Sequence, residues 1–320
     1  MTDRARRWLF AAIVAACLAV GAGYFAWLAP GEPSADATAV AAPPLLPGAT
    51  VIRSIDTGRL AVIAPAAGSL PAATGLTCNR VAADRRGGIC LARAKAFGVK
   101  YDARFFGADF RVREDVRLEG IPSRTRLSPD GRYAGVTAFV SGHSYAELGE
   151  FSTQTLILDR KRARLLLDLD DLDVRDRGRR IDAVDRNFWG VTFAPSAGGR
   201  FYATMATAGR TYLIEGDLGT KRARVLRRNA ECPSVSPDGK RIAYKKRVGD
   251  PALWRFHVLE LATGIETALT ELRPLDDQIE WLDEEHVLYQ VAKEVWRARA
   301  DGTGAPTRYL PGADSPAVIR

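Results

Sequence analysis

Hydrophobic positions are unevenly distributed along the chain. From Trp8 to Leu28 there are 21 consecutive residues without a charge. As a helix rising about 1.5 Å per residue, that block would extend about 31 Å and match a hydrocarbon core of roughly 30 Å. The pattern predicts a transmembrane helix over residues 8–30. Arg4, Arg6 and Arg7 precede it, whereas the stretch after it, to Val40, carries only Glu32 and Asp36. The bias of positive charge toward the cytoplasmic side makes residues 1–7 a cytoplasmic tail and places everything after the helix outside. A cleaved signal peptide is the competing reading, with Ala39-Val40-Ala41 as its small-residue site. That site lies more than ten residues beyond the apolar block, and the block itself exceeds the roughly 7–15 residues of a signal-peptide apolar region. A buried core helix is the third reading, and both of the first two export the rest of the chain.

Residues 31–48 are mostly Ala, Pro, Gly, Ser and Thr without aromatics. Such a segment buries too little apolar surface to fold and is expected to be a linker. Residues 49–320 are expected to form the folded domain.

In that domain short apolar runs alternate with turn residues, as in Thr155-Leu156-Ile157-Leu158-Asp159 and Arg164-Leu165-Leu166-Leu167. This is a strand pattern. The sequence also repeats: Leu127-Ser128-Pro129-Asp130-Gly131-Arg132-Tyr133-Ala134 matches Val235-Ser236-Pro237-Asp238-Gly239-Lys240-Arg241-Ile242-Ala243-Tyr244, and Phe193 to Tyr202 is a degenerate copy. Each motif has the chemistry of a tight turn: Pro presets φ, Asp bonds nearby backbone, and Gly accepts positive φ. Pro195 to Pro237 is 42 residues, and Pro237 to Leu282, in the related Glu280-to-Tyr289 segment, is 45. That spacing suits one four-stranded blade of a propeller. Pro129 to Pro195 is 66 residues, so an insertion is expected, and the charged stretch Asp168–Asp185 is its place. The expected fold is all-β, a six-bladed β-propeller, with five or seven blades as alternatives. The tail from Ser315 to Arg320 resembles a new first strand that would pair with the N-terminal blade and close the ring.

The Ser236-to-Tyr244 repeat resembles the WD40-like repeat of TolB-type β-propellers, over residues 121–320. Phe139-Val140-Ser141-Gly142-His143-Ser144-Tyr145 and Trp189-Gly190-Val191-Thr192-Phe193, with the N-terminal block, further resemble the membrane-anchored TolB-like proteins of actinobacteria. The resemblance implies a binding scaffold. TolB proteins carry a separate α/β domain ahead of the propeller, for which residues 49–120 leave no room beside the early blades.

Composition adds one point. The formal charge is +8, and the residues before position 49 sum to zero because Asp3, Glu32 and Asp36 offset Arg4, Arg6 and Arg7. The whole excess belongs to residues 49–320.

Four cysteines are present. Cys17 reads as a small apolar residue of the helix. Cys78 and Cys90 are 12 apart and flank the turn-like Asp84-Arg85-Arg86-Gly87-Gly88. In an exported domain they are expected to form a disulfide across a hairpin of an early blade, worth roughly 3 kcal/mol. Cys232 is left as a buried thiol. No Cys-x-x-Cys pair, Gly-x-Ser-x-Gly, Rossmann fingerprint or phosphate loop occurs.

His143 and Ser144 are adjacent and point to opposite faces of an extended strand, so they cannot form a nucleophile–base pair. His143, His257 and His286 are too scattered for a metal motif, and Asp168, Asp170, Asp171 and Asp173 lack the Gly and Glu of an EF-hand. They read as a solvated acidic loop, followed by Arg175, Arg177, Arg179 and Arg180. No cofactor and no catalytic or metal residue is expected. Trp189, Trp254, Trp281 and Trp296 read as blade packing. The basic runs Lys221-Arg222-Ala223-Arg224 with Arg227-Arg228, and Lys240-Arg241 with Lys245-Lys246-Arg247, either form the wet faces of blades or meet an anionic envelope ligand.

The functional expectation is a cell-membrane, single-pass, extracytoplasmic scaffold. It touches the membrane through its helix, binds a protein or anionic envelope ligand, contacts no nucleic acid, and is not an enzyme. A hydrolase or lyase at the channel mouth is the alternative.

Overall fold

The computed structural model describes residues 42–66, 68–94, 100–140, 152–195, 198–249, 253–275 and 277–320. The chain divides at Ala41/Ala42 into two units, and only the second, Ala42–Arg320, is within this range. The expected helix over 8–30, the charges Arg4, Arg6 and Arg7, Cys17, and the pair His143 and Ser144 lie outside the described residues. No helix among the described residues is long and apolar enough to cross a membrane.

The strands, in chain order, begin with β1 (Thr50–Ser54), β2 (Arg59–Ile63), β3 (Ala72–Thr77), β4 (Arg80–Asp84), β5 (Gly87–Arg93), β6 (Tyr101–Gly107) and β7 (Val112–Leu118). They continue with β8 (Ile121–Leu127), β9 (Tyr133–Val140), β10 (Ser152–Asp159), β11 (Arg164–Asp168), β12 (Asp173–Asp176), β13 (Arg179–Arg180), β14 (Asn187–Phe193), β15 (Arg200–Thr207), β16 (Arg210–Asp217) and β17 (Arg222–Arg228). The remainder are β18 (Glu231–Val235), β19 (Arg241–Val248), β20 (Leu253–Glu260), β21 (Glu266–Ala268), β22 (Glu280–Trp281), β23 (His286–Val291), β24 (Glu294–Arg299), β25 (Thr307–Pro311) and β26 (Ala313–Val318).

They build six sheets, each with a four-stranded antiparallel meander: β26-β1-β2-β3, β4-β5-β6-β7, β8-β9-β10-β11, β14-β15-β16-β17, β18-β19-β20-β21 and β22-β23-β24-β25. These are blades 1 to 6 of a six-bladed propeller. The first-named strand of each blade is innermost, and successive inner strands are neighbours around the ring. The tail strand β26 supplies the inner strand of blade 1, with Val318 opposite Thr50 and Ala313 opposite Ser54. The first and last strands of the fold therefore lie in one sheet, and their pairing closes the ring. Leu45 is buried, and the Gly48 amide donates to the Ile319 carbonyl at 2.8 Å. The last residues of the expected linker are thus tied to the ring.

Apolar side chains pack between adjacent blades. One cluster joins Ile89, Leu91 and Phe105 of blade 2 to Val136 and Leu158 of blade 3, and another joins Phe256 and Val258 of blade 5 to Trp281, Val287 and Tyr289 of blade 6. A twisted blade buries one face on each neighbour, which is why its strands are apolar over most of their length and not strictly alternating.

The two full turn motifs are superimposable in their bonding. Ser128 Oγ donates to Asp130 Oδ1 at 2.6 Å and accepts from the Tyr133 amide at 2.9 Å, while the Gly131 amide donates to the Ser128 carbonyl at 2.8 Å. Ser236, Asp238, Arg241 and Gly239 repeat this at 2.5, 3.0 and 2.9 Å. Pro129 and Pro237 occupy the second position of each turn, where fixed φ is suited to it.

The insertion lies between blades 3 and 4, where the repeat spacing places it, yet it is not the solvated acidic loop expected. A 3-10 turn over Leu169–Asp171 leads to β12, which pairs in parallel with the outer strand β17, and β13 extends that sheet to six strands. Leu169, Leu172 and Val174 are buried within the blade 4 core. Three apolar residues interspersed among the acids thus hold the segment down.

Cys78 and Cys90 form the expected disulfide, with a Cα separation of 5.4 Å. It is not a hairpin staple. Cys90 lies on β5, opposite Val81 of β4, whereas Cys78 lies before β4 begins, in the connection from blade 1. The bond therefore ties an inter-blade connection to blade 2, because Cys78 falls two residues short of the ladder.

Candidate functional site

Three of the inner strands share a local irregularity. β8 has a register shift between Pro122 and Arg124, β14 between Trp189 and Thr192, and β18 between Glu231 and Ser234. A bulge adds a residue to one strand, twists it and re-aims the side chains beside it. Here all three lie near the N-terminal ends of the inner strands and turn Arg124, Trp189 and Glu231 toward a common cavity.

That cavity has a volume of about 540 Å³. Its cations are Arg80 at the start of β4, Arg124 on β8, and Lys245 and Arg247 near the end of β19; its apolar wall includes Phe139, Trp189 and Trp254. The cations thus come from blades 2, 3 and 5. Among the described lining residues Glu231 is the single carboxylate, and Arg247 Nε donates to its Oε1 at 3.0 Å. Lys245 Nζ and the Arg247 guanidinium stand 5.3 and 5.1 Å from the centre of the Trp254 ring, within cation–π range. Arg80 Nε donates to the Ser123 carbonyl at 2.8 Å. Lys245 is only 2% exposed and Arg124 9%, so these charges are recessed.

Beside the cavity an ion pair crosses the ring. Arg126 on β8 reaches across the ring from blade 3 to blade 6, where it pairs with Glu280 and donates to the Ile279 carbonyl at 2.6 Å. Arg320 adds a second cation to Glu280, at 3.0 Å. Burial, with Arg320 adding to it, lowers the Arg126 pKa to about 9, and burial lowers that of Arg320 to about 10. Both shifts express the cost of a cation there, opposed by Asp277 at Arg126 and by Glu284 and Asp283 at Arg320. The remaining void, about 70 Å³, is lined by Arg80, Thr125, Asp277 and Ser315 among others. The Arg126–Glu280–Arg320 ion pairs thus lie between strands of blades 3 and 6, and the smaller void beside them shares Arg80 with the larger cavity.

The residues singled out in the sequence are distributed differently. The turn residues Ser128, Pro129, Asp130 and Gly131, and Ser236, Pro237, Asp238 and Gly239, form the two turns described above and do not line the cavity. Trp281 is packed as expected, and its indole donates to the Ser234 carbonyl at 2.8 Å, whereas Trp189 and Trp254 are part of the cavity wall. His257 Nδ1 lies 3.0 Å from Glu266 Oε1, and His286 Nδ1 is hydrogen-bonded to Asp283 Oδ1 at 3.0 Å. Among the described residues no cluster of His, Cys, Asp and Glu has the form of a metal site.

The two basic runs part company. Arg224, Arg227 and Arg228 on the outer strand β17 pair with Glu215, Glu266 and Asp176, a wet face. Lys245 and Arg247 serve the cavity. Arg80 and Arg124 had no signal in the sequence, because only ring closure brings blade 2 and blade 3 opposite blade 5.

No family model matches the sequence, and no curated protein matches it. Solved structures do. A TolB from Acinetobacter baumannii is 17% identical with a TM-score of 0.61, over 85% of this chain and 66% of that one. This chain thus spans just under two thirds of that protein. A chain of a nidogen–laminin complex is 12% identical with a TM-score of 0.55, over 84% of this chain and 97% of the other. At such identities the similarity is one of fold, the six-bladed propeller.

Proposed function

We propose that this chain is a membrane-anchored, extracytoplasmic propeller that acts as a non-catalytic binding scaffold for a protein or envelope ligand, and that it binds at the cationic mouth of its ring. The observation that carries this reading is the convergence of Arg80, Arg124, Lys245 and Arg247 from three blades on one aromatic-walled cavity. A cavity of this volume with convergent charged groups and aromatic side chains is suited to hold a ligand. The anchor and orientation rest on residues 8–30 with Arg4, Arg6 and Arg7. The Cys78–Cys90 disulfide supports an oxidising compartment outside the cytoplasm.

The competing reading, a hydrolase or lyase at the mouth, needs a general base there. The lining carboxylate, Glu231, is committed to Arg247, and no histidine lines the cavity among the described residues.

Immobilised full-length chain, incubated with solubilised envelope fractions, tests the reading, with an Arg80→Glu/Arg247→Glu variant alongside. Envelope molecules retained by the wild type and released by the variant support it. Equal retention by both places binding elsewhere, and conversion of a retained molecule into product restores the enzyme reading.

A further inference from the structure

We infer that the mouth cavity takes an anionic saccharide, a sugar unit carrying phosphate or carboxylate. This deepens the proposed mouth-binding function and rests on it. Three features of the cup select the ligand. The first is sign: among the described residues four cations and one carboxylate line it, and Arg247 donates to that carboxylate. Guanidinium groups bind carboxylate and phosphate through paired, charge-assisted hydrogen bonds.

The second is depth. Lys245 and Arg124 are nearly buried at the wall, and Arg126, Glu280 and Arg320 are paired across the ring beyond them. A group that reaches the recessed cations must sit on a slim body, and about 540 Å³ lies within the roughly 300–1,000 Å³ that encloses drug-sized ligands.

The third is the wall. Phe139, Trp189 and Trp254 present aromatic surface, and the Ser123 hydroxyl, which accepts from Arg124 Nη1 at 3.2 Å, has its own proton to donate. A pyranose combines an apolar C–H face with a rim of hydroxyls and fits this alternation. Inorganic phosphate alone would leave most of the cup unfilled.

The test is calorimetric titration of the full-length chain with trigalacturonate and glucose 6-phosphate, beside their neutral counterparts α-1,4-galactotriose and glucose, and beside inorganic phosphate. Binding of either charged sugar about tenfold more tightly than its neutral counterpart and than phosphate is expected, with affinity falling as salt rises. The two charged probes distinguish a carboxylate source from a phosphate source. Arg80→Gln should weaken binding severalfold, and Arg80→Lys, which keeps the charge without the guanidinium fork, should restore part of it. The salt titration on the unaltered chain reads the same charge dependence should Arg80→Gln fold poorly. Failure of both charged sugars to bind, equal binding of the neutral ones, or phosphate binding as well as its sugar ester each overturns the inference. If envelope material still binds at the mouth, the proposed function survives and only the saccharide assignment falls; if neither binds, both fall.

Discussion

At Gly239 the backbone is left-handed, with φ +73°, and a Cβ there would stand 2.9 Å from Cδ of Pro195, in the degenerate turn at the end of blade 4's inner strand. Gly264 has the same φ of +73° with open space around it. Gly264→Ala is therefore expected to cost the left-handed penalty alone, about 1–2 kcal/mol. Gly239→Ala adds a clash between neighbouring blades and should cost roughly 1 kcal/mol more. Urea unfolding of the two variants gives their order, and equal losses would contradict the contact. The turn itself was legible in the sequence because its bonds run within five residues; its contact with Pro195 was not, because that is set by the ring. The same holds for Glu266, which accepts from Tyr244 Oη and Lys246 Nζ at 2.5 Å each and pairs with Arg227 of the preceding blade. Burial pushes its carboxyl up, but Lys246, Tyr244 and Arg227 override that and hold it down at about 2, from an ordinary 4.5. A lowered folded pKa means that this stabilisation is complete above about pH 4.5 and is lost as pH falls toward 2. The stability gap between wild type and Glu266→Gln is expected to shrink from pH 6 to pH 3, and a constant gap would contradict the network.

Strands and their order were readable wherever a repeat marked them, since a Ser-Pro-Asp-Gly turn announces the strand on either side. Blade 1 has no such motif, and its identity came from the tail: β26 pairs with β1 across almost the whole chain, as its strand pattern suggests. The insertion was legible in position and not in form. Its acids dominate the composition, while Leu169, Leu172 and Val174 determine where it packs. The disulfide was legible as a pair, but its geometry depended on where β4 starts. Because the bond joins the connection from blade 1 to the second strand of blade 2, its loss loosens the seam between these blades as well as freeing the chain. Cys78→Ser/Cys90→Ser is expected to lose about 3 kcal/mol, read by urea unfolding. In hydrogen exchange the added opening should appear at residues 76–92; a loss spread evenly over all blades would argue against a seam.

The ring creates what no segment contains. Arg80, Arg124, Lys245 and Arg247 are spread over more than 160 residues of sequence and come together at one cup. Of these, only Lys245 and Arg247 stood in a basic run, and nothing in that run distinguished a cavity residue from its neighbour Lys246, which turns to Glu266. Strand alternation makes that distinction, and it becomes visible once β19 has a register against β20. The whole-molecule charge of +8 is thus divided between ion-paired wet faces, as on β17, and a recessed cluster at the mouth. Hydrogen–deuterium exchange of the full-length chain, with and without solubilised envelope fractions, tests the mouth as the binding face most directly. Protection is predicted at residues 122–124, 189–191, 231–232 and 245–247, with the outer strand β17 unchanged. Protection confined to β17 or to the outer strands of other blades, or none at all, would contradict it.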